Sequence, residues 1–377
     1  MITGASPSVV KSPSPAFWKG KRVFLTGHTG FKGGWLALWL HQLGATVCGY
    51  SLQSPTEPNL FAAARIENKI AQHHINDIRD LPALTKAMRD FAPDIVLHLA
   101  AQPILRLSYD EPVETYATNV MGTVNVLEAA RQTATARVNL VITTDKCYEN
   151  REKIWPYRET DAMGGHDPYS SSKGCAELVA SAYGRSFFAD GKACIGSVRA
   201  GNVIGGGDWA KDRLMTDIIA ALSAKQSPIL RNPGSIRPWQ HVLEPLSGYL
   251  LSAEHLWHAM PRAPESWNFG PESDSDVPVG IVTGIMCDLW GGNIHPQIIP
   301  DARQLHEAKL LRLDSSKAKA ELGWKPRLAL RDALAMTVAW YKARLEGRDM
   351  QTVTLAQIDA YQSNSPTAIP TLQEKSA

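Results

Sequence analysis

The stretch KRVFLTGHTGFKG, residues 21–33, decides the fold class of this chain. Its first half is an apolar, β-branched run that predicts a buried strand over 21–27, and the periodic segment after it predicts a helix over 33–43. Three glycines at 27, 30 and 33 permit a tight turn, and the helix N-terminus offers amide donors and partial positive charge to a phosphate. A plain strand–helix turn would use the same residues, so the surrounding pattern has to decide between the two.

The segments that follow keep alternating between short apolar runs and longer amphipathic stretches. Strands are predicted over 45–52, 73–76, 94–100, 138–144 and 194–203, and helices over 80–91, 111–132 and 169–188. Repeated alternation of this kind indicates right-handed βαβ units and hence a doubly wound parallel sheet, the α/β Rossmann fold. The glycine turn then lies at the carboxyl end of the first strand, where such sheets bind nucleotides.

Composition divides the chain into four parts. Residues 1–17 are rich in Ser and Pro and predict a flexible tail, and 18–205 carry the nucleotide-binding pattern. Beyond 205, Gly, Pro and Trp cluster between shorter elements, which predicts a smaller, mainly substrate-binding α/β lobe over 206–350, with some elements returning to the first domain. Residues 351–377 are predicted to form a C-terminal tail.

Charge and cysteine content exclude several classes of protein. The 377 residues have a formal net charge of +2, which gives no electrostatic reason to expect a nucleic-acid or membrane partner. The five cysteines are scattered, without metal-ligand spacing, so no metal site is expected and a reducing compartment is favoured. There is no apolar run of about 18 residues and no signal-peptide pattern. We therefore expect a cytoplasmic protein.

Tyr169 and Lys173 are four residues apart, which places them on one face of the predicted helix. An ammonium group near a phenol favours the phenolate, so the phenol becomes a usable base near neutral pH. Thr143 and Thr144 end a buried strand about 25 residues earlier, at the edge where ligands gather. The end of the second strand carries neither a carboxylate nor an arginine, and the absence of a basic residue to hold a 2′-phosphate favours NAD over NADP. Ser51 there is the candidate for a hydrogen bond to the ribose.

Longer phrases carry a resemblance to a known family. They are TGHTGFKG (26–33), LHLAAQP (97–103), TNV (118–120), TTDK (143–146), RAGNVIGGGDW (199–209), RPWQHV (237–242) and LGWKP (322–326). With Tyr169 and Lys173, these phrases resemble the extended short-chain dehydrogenases and, within them, the CDP-glucose 4,6-dehydratases, over residues 18–345. The resemblance implies NAD as cofactor, CDP-glucose as substrate, a homodimer, and a 6-deoxysugar product of the kind used in lipopolysaccharide.

The resemblance also implies a catalytic role for each of five residues. Tyr169 takes the proton of the sugar 4-hydroxyl, Lys173 orients the cofactor, and Thr144 hydrogen-bonds the 4-oxygen. Asp145 is the acid at C6, and Lys146 is the base or proton carrier at C5, where related dTDP-glucose enzymes have glutamate; the sequence leaves open which of the two moves which proton. A lysine base requires a lowered pKa. Alternatively, Asp145 caps a turn and Lys146 is a surface charge.

The binding residues implied by the motifs and the resemblance form two sets. The cofactor set comprises Gly27, Thr29, Gly30, Phe31, Lys32, Gly33, Ser51, Asp77, Ile78, Leu99, Ala100, Ala101, Thr118, Tyr169 and Lys173. The substrate set, in which arginine forks would hold a diphosphate, comprises Gln102, Asn202, Arg213, Arg231, Arg237, Asn268 and His306.

Other interpretations remain open at this point. A UDP-sugar 4-epimerase would share the glycine turn, Tyr169 and Lys173 but would not need the pair at 145 and 146, and another nucleotide-sugar dehydratase would differ only in its base. A catalytically silent NAD-binding protein would be expected to lack Tyr169 or Lys173. Trp209 and Trp239 either stack on a base or belong to the core. The apolar helices 111–132 and 169–188 either form a dimer interface or lie beneath the second lobe.

Overall fold

A computed structural model describes residues 10–211, 213–299 and 311–363. Its main sheet has seven parallel strands in the order β3-β2-β1-β4-β5-β6-β11. The strands are β1 (Arg22–Thr26), β2 (Thr46–Ser51), β3 (Gln72–Ile75), β4 (Ile95–His98), β5 (Val138–Ile142), β6 (Cys194–Ala200), β7 (Val203–Ile204), β8 (Ile229–Leu230), β9 (Ile236–Pro238), β10 (Gln240–His241), β11 (Glu265–Phe269), β12 (Asp276–Pro278) and β13 (Gln297–Ile298).

Helices cover both faces of the sheet, which confirms the predicted doubly wound fold. They are α1 (Pro15–Trp18), α2 (Phe31–Gln42), α3 (Leu60–Ala63), α4 (Leu81–Phe91), α5 (Leu105–Asp110), α6 (Pro112–Tyr116), α7 (Gly122–Arg131), α8 (Pro168–Phe187), α9 (Leu214–Ser223), α10 (Leu243–Ala259), α11 (Val279–Trp290), α12 (Leu330–Leu345) and α13 (Met350–Gln362). The predicted helix over 111–132 is α6 and α7 joined by a π-helical turn, Ala117–Met121.

Alternation along the strands explains why both faces are apolar. In β1, Val23 and Leu25 join a large core with α2, α10 and α12, whereas Phe24 joins a second core with Met88 and Phe91 of α4. Successive strand residues point to opposite faces, so a strand buried on both sides must be apolar throughout. The strand order reverses between β1 and β4, and the crevice there is the expected ligand site of such a sheet.

The chain beyond residue 205 contributes to both parts of the molecule. β11 extends the main sheet next to β6, and α10 packs beneath it. The remaining strands form three small pairs, β7 with β10, β9 with β12 and β8 with β13, accompanied by α9 and α11. These pairs, of which β7 precedes residue 205, and the two helices lie outside the main sheet and are called the second lobe below.

The two predicted tails are partly wrong. In the predicted N-terminal tail, α1 begins at Pro15, and the backbone N–H of Ser14 donates to Glu254 Oε1 at 2.7 Å. Helix α13 lies inside the predicted C-terminal tail, yet Ile358 is wholly buried and the Tyr361 hydroxyl donates to Glu244 at 2.7 Å. Apolar groups on these segments fill the core around α2 and α10, and short terminal patterns do not reveal such packing. Residues 1–9 and 364–377 lie outside the described residues.

Candidate active site

The glycine loop between β1 and α2 has room for backbone only. Gly27 has a φ of 79°, and a Cβ there would lie 2.7 Å from the Ala100 amide nitrogen. A Cβ at Gly33 would lie 2.1 Å from the Gly27 carbonyl oxygen. Only glycine tolerates both conditions. The loop thereby brings the first turn of α2, including Phe31 and Lys32, to the crevice between β1 and β4, which fits the diphosphate of a dinucleotide.

The hydroxyl of Thr29 fastens this loop to β2. Thr29 Oγ1 donates to the Leu52 carbonyl oxygen at 2.8 Å and lies 2.9 Å from Ser51 Oγ. The Ser51 hydroxyl thus has a partner inside the protein, Thr29. Its predicted contact with a ribose stays a prediction. Thr29 also lines a cavity of about 440 Å³ at the carboxyl end of β2, together with Glu57 and His73.

Asp77 and Ile78 follow β3 on the same side of the crevice. The Asp77 carboxylate accepts bonds from Arg79 Nε at 2.9 Å and Nη2 at 2.6 Å, and these bonds hold its pKa below the usual range. Ile78 is buried against Gly122 at the start of α7. Leu99, Ala100 and Ala101 follow β4, and Thr118 lies in the π-helical turn.

The predicted catalytic side chains come from two elements that meet at the end of β5. Tyr169 and Lys173 lie on the first turns of α8, and Thr144 precedes the 3₁₀ turn Asp145–Cys147. The Thr144 side chain lies near enough to the Tyr169 hydroxyl to lower its pKa, and Thr144 Oγ1 donates to Asp145 Oδ1 at 2.8 Å. Lys173 Nζ donates to the Ile142 carbonyl oxygen at 3.5 Å. Thr144 therefore neighbours both the phenol and the carboxylate.

Burial dominates the titration of these groups. It raises the pKa of Tyr169 to about 12, although the Thr144 side chain and the charge of Arg213 act in the opposite direction. Burial lowers the pKa of Lys173 to about 8, partly offset by Glu177. It also lowers the pKa of Lys32 to about 7, with the charges of Arg213 and Lys173 adding to the effect. Desolvation disfavours the charged form of each group.

The Asp145 carboxylate is buried in space that the absence of a side chain at Gly201 leaves free. Only 3% of Asp145 is exposed, and a Cβ at Gly201 would lie 2.0 Å from Asp145 Oδ2. Asn202, next in the chain, has a left-handed φ of 47° and so turns the backbone away after β6. Lys146 is half-buried in the same 3₁₀ turn, directly after Asp145.

The predicted diphosphate ligands are distributed over the second lobe. Arg213 pairs with Asp208 at 2.6 Å, and its charge lowers the pKa of both Tyr169 and Lys32, which places it at the site. Arg237 is half-buried in β9, and Arg231 is exposed just after β8. His306 lies outside the described residues.

Two predicted substrate ligands have their side chains engaged in the interior. Gln102 donates to Thr115 Oγ1 at 2.9 Å and accepts from the Ile104 amide at 2.5 Å. Asn268 is wholly buried, accepts from the Tyr148 hydroxyl at 2.8 Å and donates to the Tyr157 carbonyl oxygen at 3.0 Å. The prediction that Asn268 contacts substrate is wrong in this structure, because its amide is buried and its hydrogen bonds are made to Tyr148 and Tyr157. Gln102 braces the start of α5.

Comparison with known proteins agrees with this geometry. The model of the GDP-mannose 4,6 dehydratase family matches residues 24–337. The chain belongs to this family. It is 51% identical to the CDP-glucose 4,6-dehydratase of Salmonella typhimurium over 352 residues, covering 92% of this chain and 98% of that protein. It is 27% identical to the dTDP-glucose 4,6-dehydratase of the same organism, covering 76% of this chain and 81% of that protein.

Solved structures of similar fold include members with different activities. A UDP-glucose 4-epimerase from Thermotoga maritima, determined with UDP-glucose, has a TM-score of 0.75 at 22% identity and covers 86% of this chain and 99% of its own. A dTDP-glucose 4,6-dehydratase double mutant from Streptomyces venezuelae, determined with NAD, has a TM-score of 0.74 at 22% identity and covers 88% and 99%. At this identity the likeness shows the fold alone.

Three residues of this family member were missed at the sequence level. Glu57 lines the cavity at the end of β2 from the loop that follows, and Gly201 leaves space for the Asp145 carboxylate. Glu177 of α8 accepts a hydrogen bond from Arg199 of β6. Glu177 alone had a readable signal, since it continues the four-residue spacing of Tyr169 and Lys173. The other two depend on how loops fold back.

Neither a membrane span nor a metal cluster is found in the parts of the chain that the structure describes. No helix there is long and apolar enough to cross a bilayer. No group of three or more His, Cys, Asp or Glu side chains within those residues is placed to hold a metal ion.

The glycine loop yields a first prediction. Gly33→Ala should abolish binding of ADP-ribose and of NAD to apoprotein, because the new methyl group must displace the Gly27 backbone. Gly34→Ala is the matched control: its Cβ would meet only the ends of the Ile66 and Leu60 side chains, 2.9 Å away, which are able to shift. Isothermal titration calorimetry measures both. Equal binding by Gly33→Ala and the wild type would contradict the assignment of this loop to the cofactor.

Proposed function

We propose that this chain is an NAD-dependent CDP-glucose 4,6-dehydratase, converting CDP-glucose to CDP-4-keto-6-deoxyglucose and water. The 51% identity to a CDP-glucose 4,6-dehydratase over nearly the whole chain supports the substrate. The observation that carries the chemistry is the Asp145 carboxylate, which is buried and bonded to Thr144, beside the phenol of Tyr169.

The residues at the crevice fit NAD. The glycine loop would take its diphosphate, Asp77 and Ile78 would flank its adenine, and Tyr169 with Lys173 would face its nicotinamide ribose. Glu57, an acidic side chain in the cavity at β2, disfavours an additional phosphate there. When bound, NAD supplies the hydride acceptor and donor of a reaction with no net redox change.

Tyr169 and Thr144 would act at the sugar 4-hydroxyl. A hydroxyl can donate only one hydrogen bond, and without substrate the Thr144 hydroxyl donates that bond to the Asp145 carboxylate. As a phenolate, its own proton having passed to solvent, Tyr169 would take the proton of the sugar 4-hydroxyl as hydride leaves C4 for NAD. Asp145 would then give a proton to the C6 hydroxyl, which leaves as water.

Lys146 would take the C5 proton that the adjacent 4-keto group makes acidic. Its place next to Asp145 in one tight turn brings a base and an acid to neighbouring carbons of the sugar. Arg213, Arg237 and Asn202 would hold the substrate diphosphate from the second lobe. The product has the chemistry of a precursor for 6-deoxysugars, which fits a role in lipopolysaccharide synthesis.

A panel of CDP-, dTDP-, UDP- and GDP-glucose tests this function. With bound NAD, in deuterated water and without added oxidant, CDP-glucose should give a 4-keto-6-deoxy product that carries deuterium at C5. Mass spectrometry and proton NMR identify the product. Conversion to CDP-galactose instead would favour the epimerase alternative, and preference for another base would replace the proposed substrate.

Lys146→Met should separate the two halves of the reaction. Removing the amine should slow elimination by about 100-fold or more, the usual range for loss of a general base. Partial reduction of the bound cofactor, followed by absorbance after mixing with CDP-glucose, should persist. Lys153→Met is the control, because that ammonium pairs with Asp161 at 3.0 Å in the following loop. Equal loss of both half-reactions in Lys146→Met would instead indicate a structural role.

A homodimer is proposed from exposed apolar groups on α6, the π-helical turn and α8. Val113 is 77% exposed, Leu178 61%, and Met121 and Phe187 53% each. Val126 and Leu127 of α7, by contrast, are buried in the core. Exposed side chains of this size on neighbouring helices are typical of a subunit interface.

Leu178→Asp should therefore convert the dimer to a monomer, because a carboxylate at the centre of an apolar interface would lose its hydration. Light scattering at micromolar concentration measures the mass. Ile281→Asp, at a residue 54% exposed on α11, is the control and should leave the mass unchanged. A monomeric wild-type protein would contradict the proposal.

A further inference from the structure

One face of α8 continues beyond the two catalytic residues. Tyr169, Lys173 and Glu177 follow at four-residue spacing, and they are 9%, 7% and 5% exposed. Glu177 takes no part in the chemistry proposed above. A buried carboxylate on the catalytic face of a helix requires partners and invites a functional explanation.

Glu177 forms a two-point ion pair with Arg199 of β6. Arg199 Nε donates to Oε1 at 2.9 Å and Nη2 donates to Oε2 at 2.8 Å, and both side chains are 4% exposed. Ser197 Oγ donates to Oε2 at 2.7 Å, and Thr143 Oγ1 donates to Oε1. Although burial raises its pKa, these partners hold the pKa of Glu177 below the usual range.

The hydrogen bonds around Glu177 and Arg199 also involve the segments next to Thr144 and Asp145, the other proposed catalytic residues. Thr143 immediately precedes Thr144 at the end of β5. Arg199 Nη1 donates to the Tyr148 hydroxyl at 2.5 Å, and Tyr148 directly follows the Asp145–Cys147 turn. The pair therefore ties β5, the segment after the 3₁₀ turn, and α8 to β6.

Lys173, one turn before Glu177, experiences this charge. Burial lowers its pKa, and Glu177 and then Cys147 oppose that shift. Lys32 from the glycine loop and His98 from β4 also face it, and the Lys173 charge lowers the pKa of each. Glu177 is thus the main group that favours a charged Lys173.

Stability alone does not account for such a pair, because two well-packed apolar residues often stabilise a core as well as a buried ion pair does. We propose that Glu177 and Arg199 are positioning residues that keep Lys173 charged and hold the Thr144–Asp145 turn against α8. The inference rests on the proposed function only in taking Lys173 and Thr144 as working parts of the site.

The test measures Lys173 directly, on protein with its cofactor bound. Lysine labelled with ¹³C at Cε reports each titration midpoint by NMR, and Lys173→Met identifies the resonance. The double variant Glu177→Gln/Arg199→Met leaves no unpaired charge in the core. It should lower the Lys173 midpoint by about one pH unit. The basic limb of kcat/KM, which requires the ammonium, should move to lower pH by the same amount.

Two further variants separate charge from geometry. Ser197→Ala removes one bond to the same carboxylate but keeps both charges, so the midpoint should stay at the wild-type value. Arg199→Lys keeps the charge but loses the fork and the reach to Tyr148. It should lower kcat by about tenfold or more through misplacement, with the midpoint unchanged.

Failure of the inference is distinguishable from failure of the proposed function. A folded double variant with the wild-type Lys173 midpoint would overturn the electrostatic role, whatever substrate the protein uses. Wild-type kcat in Arg199→Lys would overturn the geometric role, and this variant decides the matter if the double variant does not fold. Absence of dehydration by the wild-type protein would sink the proposed function but leave the Lys173 midpoint as a valid test.

Discussion

The parallel hydrogen-bonded ladder from β2 through β6 is the constraint on which the site depends. Because neighbouring strands run in the same direction, their carboxyl ends fall at one edge, and the residues that follow each strand are brought together there. Gly27, Ser51, Ala100, Thr144 and Gly201 each come shortly after a strand or at its end. The reversal of strand order between β1 and β4 opens the crevice in which the glycine loop lies.

Within that frame, exclusion of water sets the chemistry. Burial favours the neutral form of both Tyr169 and Lys173, because it raises the pKa of the phenol to about 12 and lowers the pKa of the ammonium to about 8. Lys32, Lys173 and Arg213 bring three basic groups to the site, and Asp145 and Asp208 partly balance them. Such a site gains from a bound diphosphate, whose negative charge favours the protonated lysines.

Local patterns were sufficient for the fold and for groups fixed by spacing along one element. The apolar strands, the glycine turn and the Tyr169–Lys173 pair depend on neighbours a few residues apart, so the sequence predicts them well. Asn268 illustrates the opposite case: it was predicted as a substrate ligand, yet its amide is used by Tyr148 and Tyr157 from another loop. Helix α13 was missed because its burial depends on Glu244 and the core beneath α2, far away in the sequence.

The similarity to epimerase and dehydratase structures alike shows that the fold does not select the reaction. Both chemistries can use a phenol beside a nicotinamide, so the difference must come from groups that act at C5 and C6 of the sugar. The groups proposed for that role, Asp145 and Lys146, are on a single 3₁₀ turn, and the Asp145 carboxylate occupies the space that a side chain at residue 201 would need. In the proposed mechanism a methyl group at residue 201 would therefore disturb elimination, since it would drive Asp145 from its bond with Thr144.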